Sequence, residues 1–383
     1  MCVCVCVCVC VCKIPNRHNY ILWLKSLLDS TSAETRRPTT GLDIGTGASC
    51  IYPLLACSQR SAWSLLATDI DPTNHASASH NLALNPLLAQ RISLLPLRQS
   101  DDSLIPEDCP ALDFCMTNPP FFASADEMLA GAAAKSRPPL SACTGAAVEM
   151  VTPGGEVSFI SRLIDESLTL QHKITWYTTM LGKHSSLEAL IRKLKDAKVG
   201  NYAVAELVQG RATRRWVLGW SFGAARPAQS VARGVKASSL KGMATKDLLP
   251  AVTEADVVAV PEWDEQGRPG VGAEELGKRI GEAVGALELS QWQWDSKQMC
   301  GHGTSLGSVW TRSWRRQNAR GDANDSFVEP FGFQVEVHQS ESDSRIWCRW
   351  LNGHDPVQFE SFRGWLARKV HEHGFVKCQI DDM

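Results

Sequence analysis

GLDIGTGASC, Gly41 to Cys50, is the stretch that decides the fold. A short apolar strand, Gly41 to Ile44, runs into a turn carrying Gly45 and Gly47, with Asp43 just before it. Glycine at such a turn lets the backbone reverse tightly and lie close to a bound ligand. On either side the chain alternates strand and helix. Strands are predicted at Gly41 to Ile44, Trp63 to Thr68, Arg91 to Pro96, Leu112 to Thr117, Glu156 to Ile160 and Lys173 to Met180. Helices are predicted at Asn19 to Leu28, Asn74 to Leu84 and Ser186 to Ala197. That order implies an α/β domain with a parallel, doubly wound sheet. Tyr202 to Val208 and Arg215 to Phe222, joined by a Gly and Arg turn, read as an antiparallel hairpin closing the sheet edge.

The 383 residues exceed the usual single-domain length, and the 44% hydrophobic and 21% charged content belongs to an ordinary globular chain. No stretch is long enough to cross a bilayer, and no secretion signal is present, which fits nucleus or cytoplasm. The net charge of -2 excludes a uniformly basic nucleic-acid coat but leaves room for local basic faces. Of 14 cysteines, six alternate with valine between Cys2 and Cys12, and the other eight are scattered, so neither a zinc site nor a disulfide framework is indicated. Alternating Cys and Val codons are what a TG repeat encodes, so residues 1–12 are expected to be a gene-model artefact. The expected division is a core domain over residues 13–222, a linker over 223–256 and a small α+β accessory domain over 257–383, which by its position resembles an accessory RNA-binding domain.

Two motifs join the first. In LLATDID, Asp69 follows the second strand, where its carboxylate can accept hydrogen bonds from both ribose hydroxyls of an adenosyl group. The third glycine of a pyrophosphate-binding fingerprint is missing, which disfavours a dinucleotide. The competing reading is a plain strand-helix turn with Asp69 or Asp71 capping a helix before Pro72. In DFCMTNPPFF, Asn118, Pro119, Pro120 and Phe121 fall at the end of the fourth strand, where ligands meet an open sheet. An exocyclic amine on an aromatic ring is a poor nucleophile and has to be oriented. The carboxamide oxygen of Asn118 and the carbonyl of Pro119 can take both amine hydrogens and aim the lone pair, the prolines stiffen the turn, and Phe121 can stack on the base. Here the competing reading is a strand terminator followed by two core phenylalanines. The stretch Ala123 to Ala147, with its glycines and prolines, reads as a lid or as a plain loop.

With these residues in view, the chain resembles the family that contains methyltransferase-like protein 16 and the bacterial ribosomal RNA adenine methyltransferase RlmF. RHNYILW, GLDIGTGASCIYPLL, ATDID, DFCMTNPPFF, WYTTMLGK and QGRATRRW carry the resemblance, from about Pro15 to Phe222. It implies a Rossmann-like class I methyltransferase and S-adenosyl-L-methionine as donor, with S-adenosyl-L-homocysteine as product and no metal. The target it implies is an adenine 6-amino group in structured RNA such as U6 small nuclear RNA or another hairpin. By position, Arg17, Asp43, Gly45, Ser49, Asp69, Gln99 and Asn118 are the implied cofactor residues, with Asn118, Pro119, Pro120 and Phe121 the implied catalytic set. The family often has Glu at the place of Asp69 and Thr at that of Gln99, and the Cys-Val run stands where its basic N-terminal segment would be.

Between Gln171 and Arg226 there are ten Lys or Arg against three Asp or Glu, an excess that suits RNA phosphates. Arg211, Arg214 and Arg215 rank highest there, above Arg192, Lys193 and Lys195. Lys135 and Arg137 are further candidates. Two alternatives remain: a protein glutamine N-methyltransferase, which uses a similar Asn-Pro-Pro-aromatic turn, and an RNA-binding protein whose catalysis is impaired by the altered N-terminus.

Overall fold

The computed structural model describes residues 14–34, 37–99, 102–124, 126–127, 151–209, 213–235, 248–261, 272–319, 329–339 and 343–372. The Cys-Val run, Lys135, Arg137, Arg211 and nearly all of the expected lid lie outside them. The chain divides into two compact units, Met1–Gly223 with Ser230–Pro250, and Ala224–Gln229 with Ala251–Met383.

The first unit is built on eight strands: β1 Thr39–Ile44, β2 Trp63–Thr68, β3 Ile92–Leu94, β4 Leu112–Thr117, β5 Ile174–Leu181, β6 Asn201–Gln209, β7 Thr213–Ser221 and β8 Arg233–Gly234. Their order is β3-β2-β1-β4-β5-β7-β6-β8. From β3 to β5 every pairing is parallel, and β7 then runs antiparallel to β5 and to β6. Because β1 has β2 on one side and β4 on the other, the strand order reverses at β1. The carboxyl ends of β1 and β4 therefore open a crevice, the place where doubly wound sheets bind ligands.

With helices packed against the sheet, the central strands are buried along nearly their whole length. Those before and after the central strands are α1 Ile14–Ser30, α2 Ile51–Gln59, α3 Pro72–Ala83, α4 Pro86–Ala89, α5 Gly155–Leu170, α6 His184–Asp196 and α7 Gln229–Ala232. In α6, Leu187, Leu190, Ile191 and Leu194 recur at helical spacing and are fully buried. On α1, the Tyr20 hydroxyl bonds that of Thr178 at 2.8 Å, and Thr178 donates to the Cys115 carbonyl at 2.8 Å, linking the helix to β5 and β4. Trp220 stacks on Tyr177 with centroids 5.7 Å apart and donates its indole N–H to Ser167 at 3.0 Å.

Three expectations are corrected. Glu156 to Ile160 is not a strand but the start of α5. Five residues of EVSFI alternate like a strand, but Ile160, Leu163, Ile164 and Ser167 are buried at helical spacing, and burying that stripe decides the matter. The hairpin of β6 and β7 does not form the sheet edge, because β8 pairs in parallel outside β6. Nor are residues 223–256 simply a linker: α7 and β8 pack in the first unit, Trp23 donates to the Val231 carbonyl at 3.2 Å, and Leu248 is buried.

The second unit is an antiparallel five-stranded sheet, in order β10-β11-β12-β13-β9. Its strands are β9 Glu254–Pro261, β10 Gln291–Asp295, β11 Cys300–Ser305, β12 Phe331–Gln339 and β13 Asp343–Asn352, with α8 Ala273–Gly285, α9 Arg312–Ala319 and α10 Pro356–Glu372. Its core gathers Phe331, Phe333, Trp350, Phe359 and Phe362. Arg226 lies 4.0 Å above the Trp350 ring and donates to the Gly353 carbonyl at 2.7 Å, so residues 224–229 belong to this unit.

Trp220→Ala is expected to cost about 3–5 kcal/mol through the cavity it leaves. Urea denaturation followed by a probe in the first unit should show its midpoint fall, with cofactor-site residues untouched.

Candidate active site

Three strand ends converge on the crevice. After β1, the N–H groups of Gly45 and Thr46 both donate to the Thr68 carbonyl at the end of β2, at 3.1 and 2.8 Å. Gly45 has φ +74° and Gly47 +68°, the left-handed region that favours glycine. Gly45 is exposed, and a Cβ added to it would meet nothing within 4 Å, so the turn faces open space at this point.

Asp69, 5% exposed, closes this turn. One carboxylate oxygen accepts the Gly47 N–H at 2.8 Å and the other the Asp71 N–H at 2.9 Å. The helix cap is Asp71, whose carboxylate accepts the Asn74 N–H at 2.8 Å with Pro72 at the first helical position. Asp69 is thus not the cap of α3, and each of its oxygens keeps a further lone pair. The Arg98 N–H donates to the Asp69 carbonyl at 3.1 Å, so the loop bearing exposed Gln99 runs beside the end of β2. Ser49 is half-buried in the turn, and Asn81 of α3 steadies it by donating to the Ala48 carbonyl at 2.9 Å.

Asp43 is fully buried, and among the described residues neither carboxylate oxygen has a hydrogen-bond partner. Burial pushes its carboxyl up to about 7, the neighbouring Thr46 hydroxyl offsets part of that rise, and the negative charge of Asp69 adds to it. Arg17 sits half-buried in the first turn of α1, without a hydrogen bond to these strand-end residues. Beside it Asn16 is buried with its carboxamide oxygen unpartnered among the described residues.

At the end of β4, Asn118 is half-buried and its Oδ1 has no partner among the described residues. Pro119 is buried and Pro120 half-buried. The turn is anchored one step later, where Thr152 donates to the Phe122 carbonyl at 3.0 Å. Neither phenylalanine is a core residue: both are half-buried, with Arg215 5.2 Å above the Phe121 ring and Lys183 5.9 Å from the Phe122 centroid.

The basic candidates divide. Arg214 is paired with Glu206 at 2.6 Å, Lys193 with Asp165 at 2.7 Å and Arg192 with Glu188 at 3.8 Å. Sequence reasoning missed Glu156. It is 2% exposed, and its two oxygens accept the N–H groups of Gly182 and Lys183 at 2.7 and 3.0 Å. The signal was the GGE triplet opening an amphipathic helix.

Strand order, glycine turn and the Asn-Pro-Pro-Phe turn together define a Rossmann-like group-transfer enzyme. The sequence profile of a family described as RNA methyltransferase matches residues 7–224, and the chain belongs to that family. It is 32% identical over 365 residues to the U6 small nuclear RNA (adenine-(43)-N(6))-methyltransferase of Schizosaccharomyces pombe, covering 94% of this chain and 86% of that one. It is 41% identical over 214 residues to the RNA N(6)-adenosine-methyltransferase METTL16 of Gallus gallus, covering 55% of this chain and 38% of the relative. The chain therefore spans most of the yeast relative and well under half of the chicken one. Among solved structures, the human Mettl16 catalytic domain in complex with MAT2A 3'UTR hairpin 1 aligns with TM-score 0.49 and 37% identity, over 56% of this chain and 72% of that one.

Because burial raises Asp43 in the folded state, the native chain holds a proton there that the unfolded chain gives up near pH 4. The associated stability is present at low pH and is lost as pH rises through about 7. Asp43→Asn removes that loss. Its stability relative to the unsubstituted protein, measured by denaturant titration without ligand, should improve between about pH 4 and pH 7 and then level off.

Proposed function

We propose that the chain transfers a methyl group from S-adenosylmethionine to the 6-amino group of an adenine in structured RNA, with U6 small nuclear RNA as the target. The observation that carries this is Asn118 Oδ1, an acceptor without a partner among the described residues, held at the end of β4 beside the glycine turn. The name of the yeast relative, which matches nearly the whole chain, supports the choice of RNA. The same reading places the chain in the nucleus or cytoplasm.

The residues fit this cofactor. An adenosyl amino acid offers donors in its ammonium group and ribose hydroxyls, while the crevice has surplus acceptors in Asp43 and the spare lone pairs of Asp69. The open space over Gly45 admits it without a Cβ in the way. Arg17, Ser49 and Gln99 are assigned to the rim of the same pocket. When bound, S-adenosylmethionine supplies an electrophilic methyl group on a sulfonium, and the chain's own residues do the rest.

Phe121 offers an aromatic face to an unstacked base. Such a contact contributes about 1–3 kcal/mol, enough to offset much of the cost of extracting the base. Asn118 Oδ1 and the Pro119 carbonyl accept the two amine hydrogens, which turns the nitrogen lone pair toward the methyl carbon. Buried Pro119 and half-buried Pro120 limit the turn's freedom, so this orientation costs little entropy at the moment of reaction. Both oxygen dipoles would face the positive charge that develops on the amine as it takes up the methyl group from the sulfonium, which would leave as the neutral thioether, and the amine would then give up one proton to solvent.

Asn118→Ala should slow methyl transfer to adenine by about 100- to 1,000-fold while cofactor affinity measured by calorimetry stays nearly constant. An unchanged rate would remove the amine-orienting role. Asp69→Ala should do the reverse first: it frees the Gly47 and Asp71 N–H groups, so calorimetry should show cofactor affinity weakened.

A further inference from the structure

We infer that Glu156 and Gly182 are positioning residues that set the ring of Phe121 for stacking on the target base. This rests on the reading of Phe121 as the base platform. The Cδ1 and Cε1 edge of the ring lies over Gly182, where an added Cβ would stand 2.8 and 3.3 Å from those two atoms. Continuing the β5–β7 register one step beyond the Leu181–Trp216 pair sets Gly182 opposite Arg215. That arginine extends over the ring with its guanidinium carbon 5.2 Å from the centroid, and one of its N–H groups donates to the Arg214 carbonyl at 2.9 Å. The ring therefore occupies the gap that the missing side chain at 182 leaves beside a cross-strand cation.

Glu156 fixes the floor of that gap. Its two oxygens take the consecutive N–H groups of Gly182 and Lys183, just where β5 ends and α6 begins, and it does so from the first turn of α5. Two helix N-termini thus meet one carboxylate, a favourable arrangement for negative charge. Gly154 and Gly155, at φ +75° and +66°, bring α5 close under the Asn-Pro-Pro-Phe turn. A Cβ on Gly155 would stand 3.4 Å from the Ala123 nitrogen and 3.6 Å from the Phe121 carbonyl oxygen. One segment, Gly154 to Glu156, therefore holds both the backbone of Phe121 and the surface its ring rests on. Phe121 is steered by a residue that never touches substrate.

The test is a double-mutant cycle. Gly182→Ala and Glu156→Gln are made in the full chain, alone and combined with Phe121→Leu. Single-turnover transfer of labelled methyl to total RNA, cofactor affinity by calorimetry and the melting temperature are measured for each. Gly182→Ala leaves the Glu156 carboxylate and both of its N–H donors in place and so serves as the second variant where Glu156→Gln fails to fold. Each single variant is expected to slow transfer about 10- to 100-fold at unchanged cofactor affinity. In the Phe121→Leu background each should add little further loss. Losses that multiply in that background, or a full rate for Gly182→Ala, would overturn the positioning role. A full rate for Phe121→Leu itself would instead overturn the platform reading on which it rests.

Discussion

The carboxylate of Asp69 holds two backbones at once, and the crevice depends on it. One oxygen grips Gly47 in the turn after β1 and the other grips Asp71 at the threshold of α3. The Thr68 carbonyl, one residue earlier, takes two more N–H groups from the same turn. A loop of two left-handed glycines has every entropic reason to wander. Here three backbone donors of that loop, those of Gly45, Thr46 and Gly47, are satisfied from the end of β2, so it is fixed before any ligand arrives. Hydrogen bonds to a charged acceptor are worth about 1.5–3 kcal/mol each, and losing this one residue would release both loops together.

Around that fixed turn the fold collects acceptors that it does not satisfy. Asp43 is buried without a partner for either oxygen, and just past the end of the adjacent strand β4 the Oδ1 of Asn118 is buried and unpartnered among the described residues. An unsatisfied buried polar group costs about 1–3 kcal/mol, so a sheet would not gather several at one strand-end crevice without a ligand to answer them. The Asp43 oxygens call for a donor-rich, cationic ligand, which is what an adenosyl amino acid with a sulfonium offers, and Asn118 Oδ1 calls for the hydrogen of an amine. Membership of an RNA methyltransferase family agrees with this demand, which rests on the geometry independently.

Much of this was legible in the sequence. β1, β2, β4 and β5 read as short, largely apolar runs between turn signals although Thr and Asp interrupt them, and α6 reads at once from Leu187, Leu190, Ile191 and Leu194. The Gly45 turn, Asp69 and Asn118 were found because turn chemistry and strand ends are local. What failed was not local. Glu156 looked like part of a strand in a five-residue window, and its role depends on Gly182, 26 residues away. β8 is two residues long and leaves no periodic trace. Arg214 looked free for RNA because its partner, Glu206, comes from the neighbouring strand. In the second unit QWQWD alternates strictly yet went unassigned as a strand, and Cys300–Ser305, with two glycines, carries little strand propensity and is held by its neighbours on either side.

A crevice that presents an adenine amine to a methyl donor should leave its mark on RNA. The protein is incubated with S-adenosylmethionine labelled on its methyl group and with total RNA, and the RNA is digested to nucleosides. Label is expected in N6-methyladenosine, enriched in U6 small nuclear RNA. Label confined to protein, or to a nucleoside other than adenosine, would contradict it.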